Sequence, residues 1–147
     1  MPTWTWSAWS DLGRTDIHDL FRLRAAVFVV EQECAYQDID GLDPVALHLL
    51  GRRDGELIAY VRAFGPGVIG DDMVIGRVIV AQSARGTGLG RVLMREAQDR
   101  LFAEFDAGPI SLGAQAHLAD FYGSLGYVIS GPGYDEDGIP HVPMRRA

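Results

Sequence analysis

With 147 residues, 48% of them hydrophobic and 22% charged, the chain is sized for one domain whose core needs neither disulfides nor a structural metal. A formal net charge of −7 excludes general nucleic-acid binding, which relies on clustered Lys and Arg to neutralise phosphates, and agrees with a cationic or amine partner. The single cysteine, Cys34, excludes an intrachain disulfide; with no basic-apolar leader and no apolar run near the roughly 18 residues of a membrane span, a soluble protein of the reducing cytoplasm is expected.

Trp4, Trp6 and Ala8 alternate with Thr5 and Ser7, which predicts a strand. Ile17, Leu20, Phe21, Val27 and Phe28 recur at helical spacing, with Asp16 near the start. A polar, acidic stretch follows from Glu31 to Gly41. Ala46–Gly51 and Glu56–Phe64 read as the strands of a hairpin joined by Arg53-Asp54-Gly55, because Asp-Gly between apolar runs is a turn signal. Met73–Val80, rich in Val and Ile, predicts a further strand, and Arg85–Gly90 a glycine-rich loop. Leu89, Val92, Leu93, Ala97 and Leu101 mark an amphipathic helix after it. Pro109–Ala114 reads as a strand, and Leu118, Phe121, Tyr122 and Leu125 as a short helix. From Tyr127 onward two short strands are expected around an exposed loop, Gly131–Gly138. About seven strands and three or four helices in mixed order imply an α/β (mixed α+β) domain, a sheet with helices on its faces, spanning residues 1–147.

The segment from Gly76 to Arg91 carries the most information: a strand, a loop with three alternating glycines, then a helix. Glycines there permit positive φ and close approach of a ligand to the main chain. The helix start presents unpaired N–H groups and the positive end of its dipole, a ready phosphate site, flanked by Arg85 and Arg91. It is not a P-loop, since no Gly-x-x-x-x-Gly-Lys-[Ser/Thr] occurs. Nor is it the dinucleotide fingerprint, because Arg91 stands where Gly86-x-Gly88-x-x needs a third glycine.

Arg85-Gly86-Thr87-Gly88-Leu89-Gly90 resembles the Arg/Gln-x-x-Gly-x-Gly/Ala motif of the GNAT superfamily of acyl-CoA-dependent N-acyltransferases. Val27–Gln32, Asp38–Asp43, Ala46-Leu47-His48, Ala114–His117, Phe121-Tyr122 and Asp135–His141 are similar, in that order, to the ElaA-like family within it. The resemblance implies a mixed, mostly antiparallel sheet whose two central parallel strands splay to admit acetyl-CoA. It implies that Val78, Ile79 and Val80 offer main-chain groups to the pantetheine arm and thioester, and that Arg85, Gly86, Thr87, Gly88, Gly90 and Arg91 hold the pyrophosphate. Gln115 stands where many members place Asn on the second splayed strand, and Phe121 and Tyr122 lie beside the cofactor. Edge strands in such folds commonly pair, which is compatible with a homodimer.

Acyl transfer to an amine requires a neutral amine, a polarised carbonyl and a protonated leaving thiolate. By the resemblance Tyr122 is the acid near the sulfur. Glu31 and Glu33 lie where such residues line the acceptor side, and His141, after Ile139-Pro140, is a further candidate base facing an acceptor pocket. His48, inside a strand-like run, reads as a satisfied core histidine as readily as a base. The acidic groups of Asp38–Asp43 and Asp135–Asp137 are expected to border the acceptor and orient an ammonium. No histidine pair has metal-ligand spacing, and Asp38–Asp43 lacks the calcium-loop pattern, so no metal is expected. The implied reaction is direct transfer of acetyl from acetyl-CoA to an unidentified amine. A non-catalytic acyl-CoA sensor and an interaction protein with the same fold are the alternatives.

Overall fold

In the computed structural model, which describes residues 1–147, the period-2 runs become strands. Trp4 and Trp6 turn one face of β1 (Thr3–Ala8) against the core, and β1 pairs antiparallel with β2 (Leu47–Arg53). Asp54 and Gly55, with φ of 53° and 79°, close the hairpin to β3 (Glu56–Phe64); two left-handed residues in succession match the twist of paired strands. β4 (Met73–Val80) runs antiparallel to β3, and β5 (Ile110–Gln115) parallel to β4. The C-terminal region holds β6 (Val128–Ile129), β7 (Tyr134–Glu136) and β8 (Ile139–Arg146). The sheet therefore has eight strands rather than about seven, in the order β1-β2-β3-β4-β5-β8-β6, with β7 also on β8. The expected loop at Gly131–Gly138 is in part this β7–β8 hairpin, whose turn is Asp137 (φ 52°) and Gly138 (φ 80°).

Helices cover both faces. α1 (Arg14–Arg24) starts at Gly13, whose N–H donates to Asp16 Oδ2 at 3.2 Å. The helix does not stay α-helical to Phe28. Over Ala25–Glu31 it widens to a π-helix, leaving through Gln32 N–H to Val27 O and Cys34 N–H to Val29 O. The run Ala-Ala-Val-Phe-Val-Val holds three valines, and β-branched residues crowd the preceding turn of an α-helix. α2 (Leu89–Phe105) buries Leu93, Met94, Ala97 and Leu101 in the larger core cluster, and α3 is the short Ala119–Gly123. Leu20 and Val27 form a second cluster with Leu50, Tyr60 and Ile79 on the opposite face. No helix is long and apolar enough to cross a membrane.

The feature that positions the site is a parting of β4 from β5. These strands pair only at Met73–Ile110 and Val74–Ser111. Opposite Val61, β4 carries two residues, Arg77 and Val78, between the pairs Arg62–Gly76 and Tyr60–Ile79. This is a bulge, which bends a strand and raises its twist, and Arg77 sits in it at φ 48°. Beyond the bulge β4 leans away, and the groups of Val78–Val80 that face β5 have no strand partner on that side.

Candidate active site

Two chambers open along this parting. The larger, about 520 Å3, lies between the π-helix, the end of β4 and the start of α2. The smaller, about 130 Å3, lies between β4, β5 and the β7–β8 hairpin. Phe28, Gln32, Val78, Gln115, Leu118 and Tyr122 border both, so the two are one continuous cleft with a waist.

The larger chamber ends on the glycine loop. Gly86 and Gly88 have φ of 77° and 80°, and nothing stands within 4 Å of where a Cβ would be on either. Gly88 is the N-cap of α2, which leaves the first N–H groups of that helix without helical partners. Gly90 differs: it is helical, and a Cβ there would make ordinary van der Waals contact with the Phe121 ring at 3.6 Å. Phe121 is half-buried beneath Arg91, whose guanidinium lies 5.8 Å from the ring centre and donates to Ser124 Oγ at 2.8 Å. The Thr87 hydroxyl is spent inside the loop, donating to Ala84 O at 2.8 Å. Arg85 donates from Nε to Val80 O at 3.0 Å and from both terminal nitrogens to Glu31, at 2.5 and 2.9 Å. Glu31 thus stands on the glycine-loop side, locked to Arg85, and not in the chamber that holds His141. Ile79 borders this larger chamber from β4, and His117 lines it beside Gln115. The Gln32 and Gln115 amides face each other across the waist at 3.3–3.4 Å.

Tyr122, from α3, is 7% exposed and its hydroxyl makes no hydrogen bond to any protein group. Burial pushes its pKa up to about 12, so it remains a protonated donor throughout the neutral range. In the smaller chamber His141 donates from Nδ1 to Ile139 O at 2.7 Å. A carbonyl only accepts, so this bond leaves Nε2 as the lone-pair nitrogen of the neutral ring. Nε2 lies 3.5 Å from Glu136 Oε2.

His48 is not part of the cleft. It is fully buried, donating from Nε2 to Asp43 O and accepting at Nδ1 from the Tyr60 hydroxyl. The carboxylates of Asp38, Asp40 and Asp43 do not border the acceptor side as free groups either. Asp38 accepts from Arg24 and Arg77, Asp40 from Arg62 and Arg77, and Asp43 from Arg24 and Arg62. Buried cations must be paired, and Arg24 is 0% exposed. Sequence reading missed this network because the arginines come from α1, β3 and β4, separated from the aspartates by up to 39 residues. The Asp38-x-Asp40-x-x-Asp43 spacing was its one visible sign.

A family model described as an acetyltransferase (GNAT) domain matches residues 16–147. Protein ElaA of Escherichia coli (strain K12) is 44% identical over 139 residues, covering 93% of this chain and 91% of that protein. Among solved structures, an acyl-CoA N-acyltransferase from Pseudomonas aeruginosa superposes with a TM-score of 0.94 at 44% identity, covering 99% of each chain. Escherichia coli ElaA superposes with a TM-score of 0.91 at 42% identity, covering 100% of each.

Proposed function

The chain belongs to the GNAT acetyltransferase family, and we propose that residues 1–147 work as one domain that transfers acetyl from acetyl-CoA to an amine by direct attack. The observation that carries this reading is the waist: Tyr122, whose hydroxyl has no hydrogen bond to a protein group, borders both chambers. Two substrates entering from opposite ends meet there without a covalent enzyme intermediate.

In this reading the donor lies in the larger chamber and supplies an activated thioester. The open α2 N-terminus, Gly86 and Gly88 would take its pyrophosphate on main-chain N–H groups, with Arg85 and Arg91 adding charge. Thr87 shapes the loop, and Gly90 stands beside Phe121 in the first turn of α2. The β5-facing main chain of Val78, Ile79 and Val80 would bond the pantetheine amides and polarise the thioester carbonyl, while Gln115 borders the reacting end. His141 Nε2 would take a proton from the acceptor nitrogen as the C–N bond forms. Tyr122 would give its proton to the sulfur as the C–S bond breaks, so that an amide and free CoA thiol result. Glu31, already bound by Arg85, is the weaker candidate for the base. We place the protein in the cytoplasm, where acyl-CoA is available.

The test is thiol release from acetyl-CoA with and without a simple primary amine, followed by mass analysis of the amine. Amine-dependent release with an added acetyl group is expected. Acetyl-CoA turnover that is absent, or unaltered by amine, contradicts the reading.

A further inference from the structure

The smaller chamber carries information about the acceptor. A cavity of about 130 Å3 is well below the roughly 300–1,000 Å3 of sites that enclose drug-sized ligands, which favours a small acceptor. Its lining is mixed, with the side chains of Ile75, Val78 and Leu112 beside the polar groups of Tyr36, Gln115 and His141. The exposed tip of the β7–β8 hairpin borders it with Glu136 and Asp137, and its charge is one-sided. Of the charged groups on the chamber, the Arg77 guanidinium is held by Asp38 and Asp40. Glu136 touches only His141, at 3.5 Å. The Asp137 carboxylate enters no ion pair; its main-chain carbonyl accepts from Cys34 Sγ at 3.2 Å, which pins the hairpin tip to the turn after the π-helix. Two carboxylates thus stand on the hairpin side of a chamber whose waist is bordered by Tyr122.

Resting on the acyltransferase reading above, we infer that the acceptor is a short aliphatic amine bearing a second ammonium, with one nitrogen at Tyr122 and the other on Glu136 and Asp137. The methylene chain between the two nitrogens lies along Ile75, Val78 and Leu112. Only the inner nitrogen reacts: it loses a proton to His141 Nε2 and gains the acetyl carbon, while the outer ammonium keeps its three protons and its charge. A carboxylate at the outer position meets like charge and is rejected.

The experiment compares kcat/KM with acetyl-CoA for three acceptors of equal span: 1,4-diaminobutane, 1-aminopentane and 5-aminopentanoate. CoA binding is measured by calorimetry on the same samples. The expected order places the diamine about tenfold above the monoamine, the size of two partly exposed ammonium–carboxylate contacts, and the amino acid last. In Asp137→Asn, whose side chain also tolerates the left-handed backbone at this position, the diamine-to-monoamine ratio falls. Glu136→Lys, on an exposed extended residue, moves the preference toward 5-aminopentanoate. CoA binding with three equally good acceptors, or with ratios that neither variant alters, overturns the diamine assignment and leaves the acyltransferase reading standing, whereas CoA binding with no acetylation of any of the three contradicts both. Failure to bind CoA overturns both.

Discussion

Among single residues, Tyr122 and Glu31 stand in opposite circumstances. Tyr122 is 7% exposed, and its hydroxyl borders the cleft with no hydrogen bond to a protein group. Tyr122→Phe is expected to lower kcat about 100-fold, the low end of general-acid effects, while CoA affinity measured by calorimetry stays as it was. Equal losses in kcat and CoA affinity would remove the acid role. Glu31 and Arg85 make a bidentate pair that is about one-third exposed at both partners, and an exposed pair of this kind is worth at most about 1 kcal/mol. A pyrophosphate competes with Glu31 for the same guanidinium. Glu31→Gln therefore tightens CoA binding about two- to fivefold, whereas a base at this position would leave affinity unchanged and reduce turnover.

At the scale of elements the bulge of β4 decides where the cleft opens, and Asp38 holds the bulge. Its carboxylate accepts from Arg24 at 2.8 Å, from Arg77 at 2.9 Å and from the Tyr36 hydroxyl at 2.8 Å, linking α1, the bulge and the intervening turn. Asp38→Ala leaves a fully buried Arg24 with one carboxylate fewer, and the expected loss is about 3–5 kcal/mol in urea denaturation; a loss below about 1 kcal/mol would mean that the network is ornamental. These elements were unevenly legible in the sequence. The hairpin at Asp54-Gly55, the strand Met73–Val80 and the α2 stripe announce themselves by local rules, so their positions follow from spacing alone. The bulge at Arg77 has no such sign, because a non-glycine residue at φ 48° is held there by distant aspartates. The π-helix and β7 were missed for a related reason: one continues an ordinary helical pattern, and the other is three exposed polar residues that pair only because β8 lies beside them.

At the scale of the whole molecule, acid stability tests the buried side of the Asp43 network. Burial lowers the His48 pKa below the ordinary 6.5, and the nearby Arg24 and Arg62 act in the same direction, against the Asp43 main-chain bond and its negative charge. The unfolded chain then binds this proton before the folded one does. The His48 contribution is complete above pH about 6.5 and is lost as pH falls toward the folded value. The denaturation midpoint should decline between pH 7 and pH 5, with a shallower slope in His48→Gln. The glycine loop and its following helix were readable together because phosphate recognition by main chain demands glycine at fixed spacing, whereas the acceptor chamber is assembled from Tyr36, Gln115, Glu136 and His141 on separate elements and has no linear motif. The central claim is that the cleft beside Gly86 and Gly88 takes acyl-CoA. It is tested most directly by calorimetric titration of acetyl-CoA into the protein and into Gly88→Glu, which adds bulk and negative charge at a φ of 80°. One-to-one binding that the substitution abolishes is the predicted result; no binding by the unaltered protein at millimolar acetyl-CoA, or equal binding by both proteins, would contradict it.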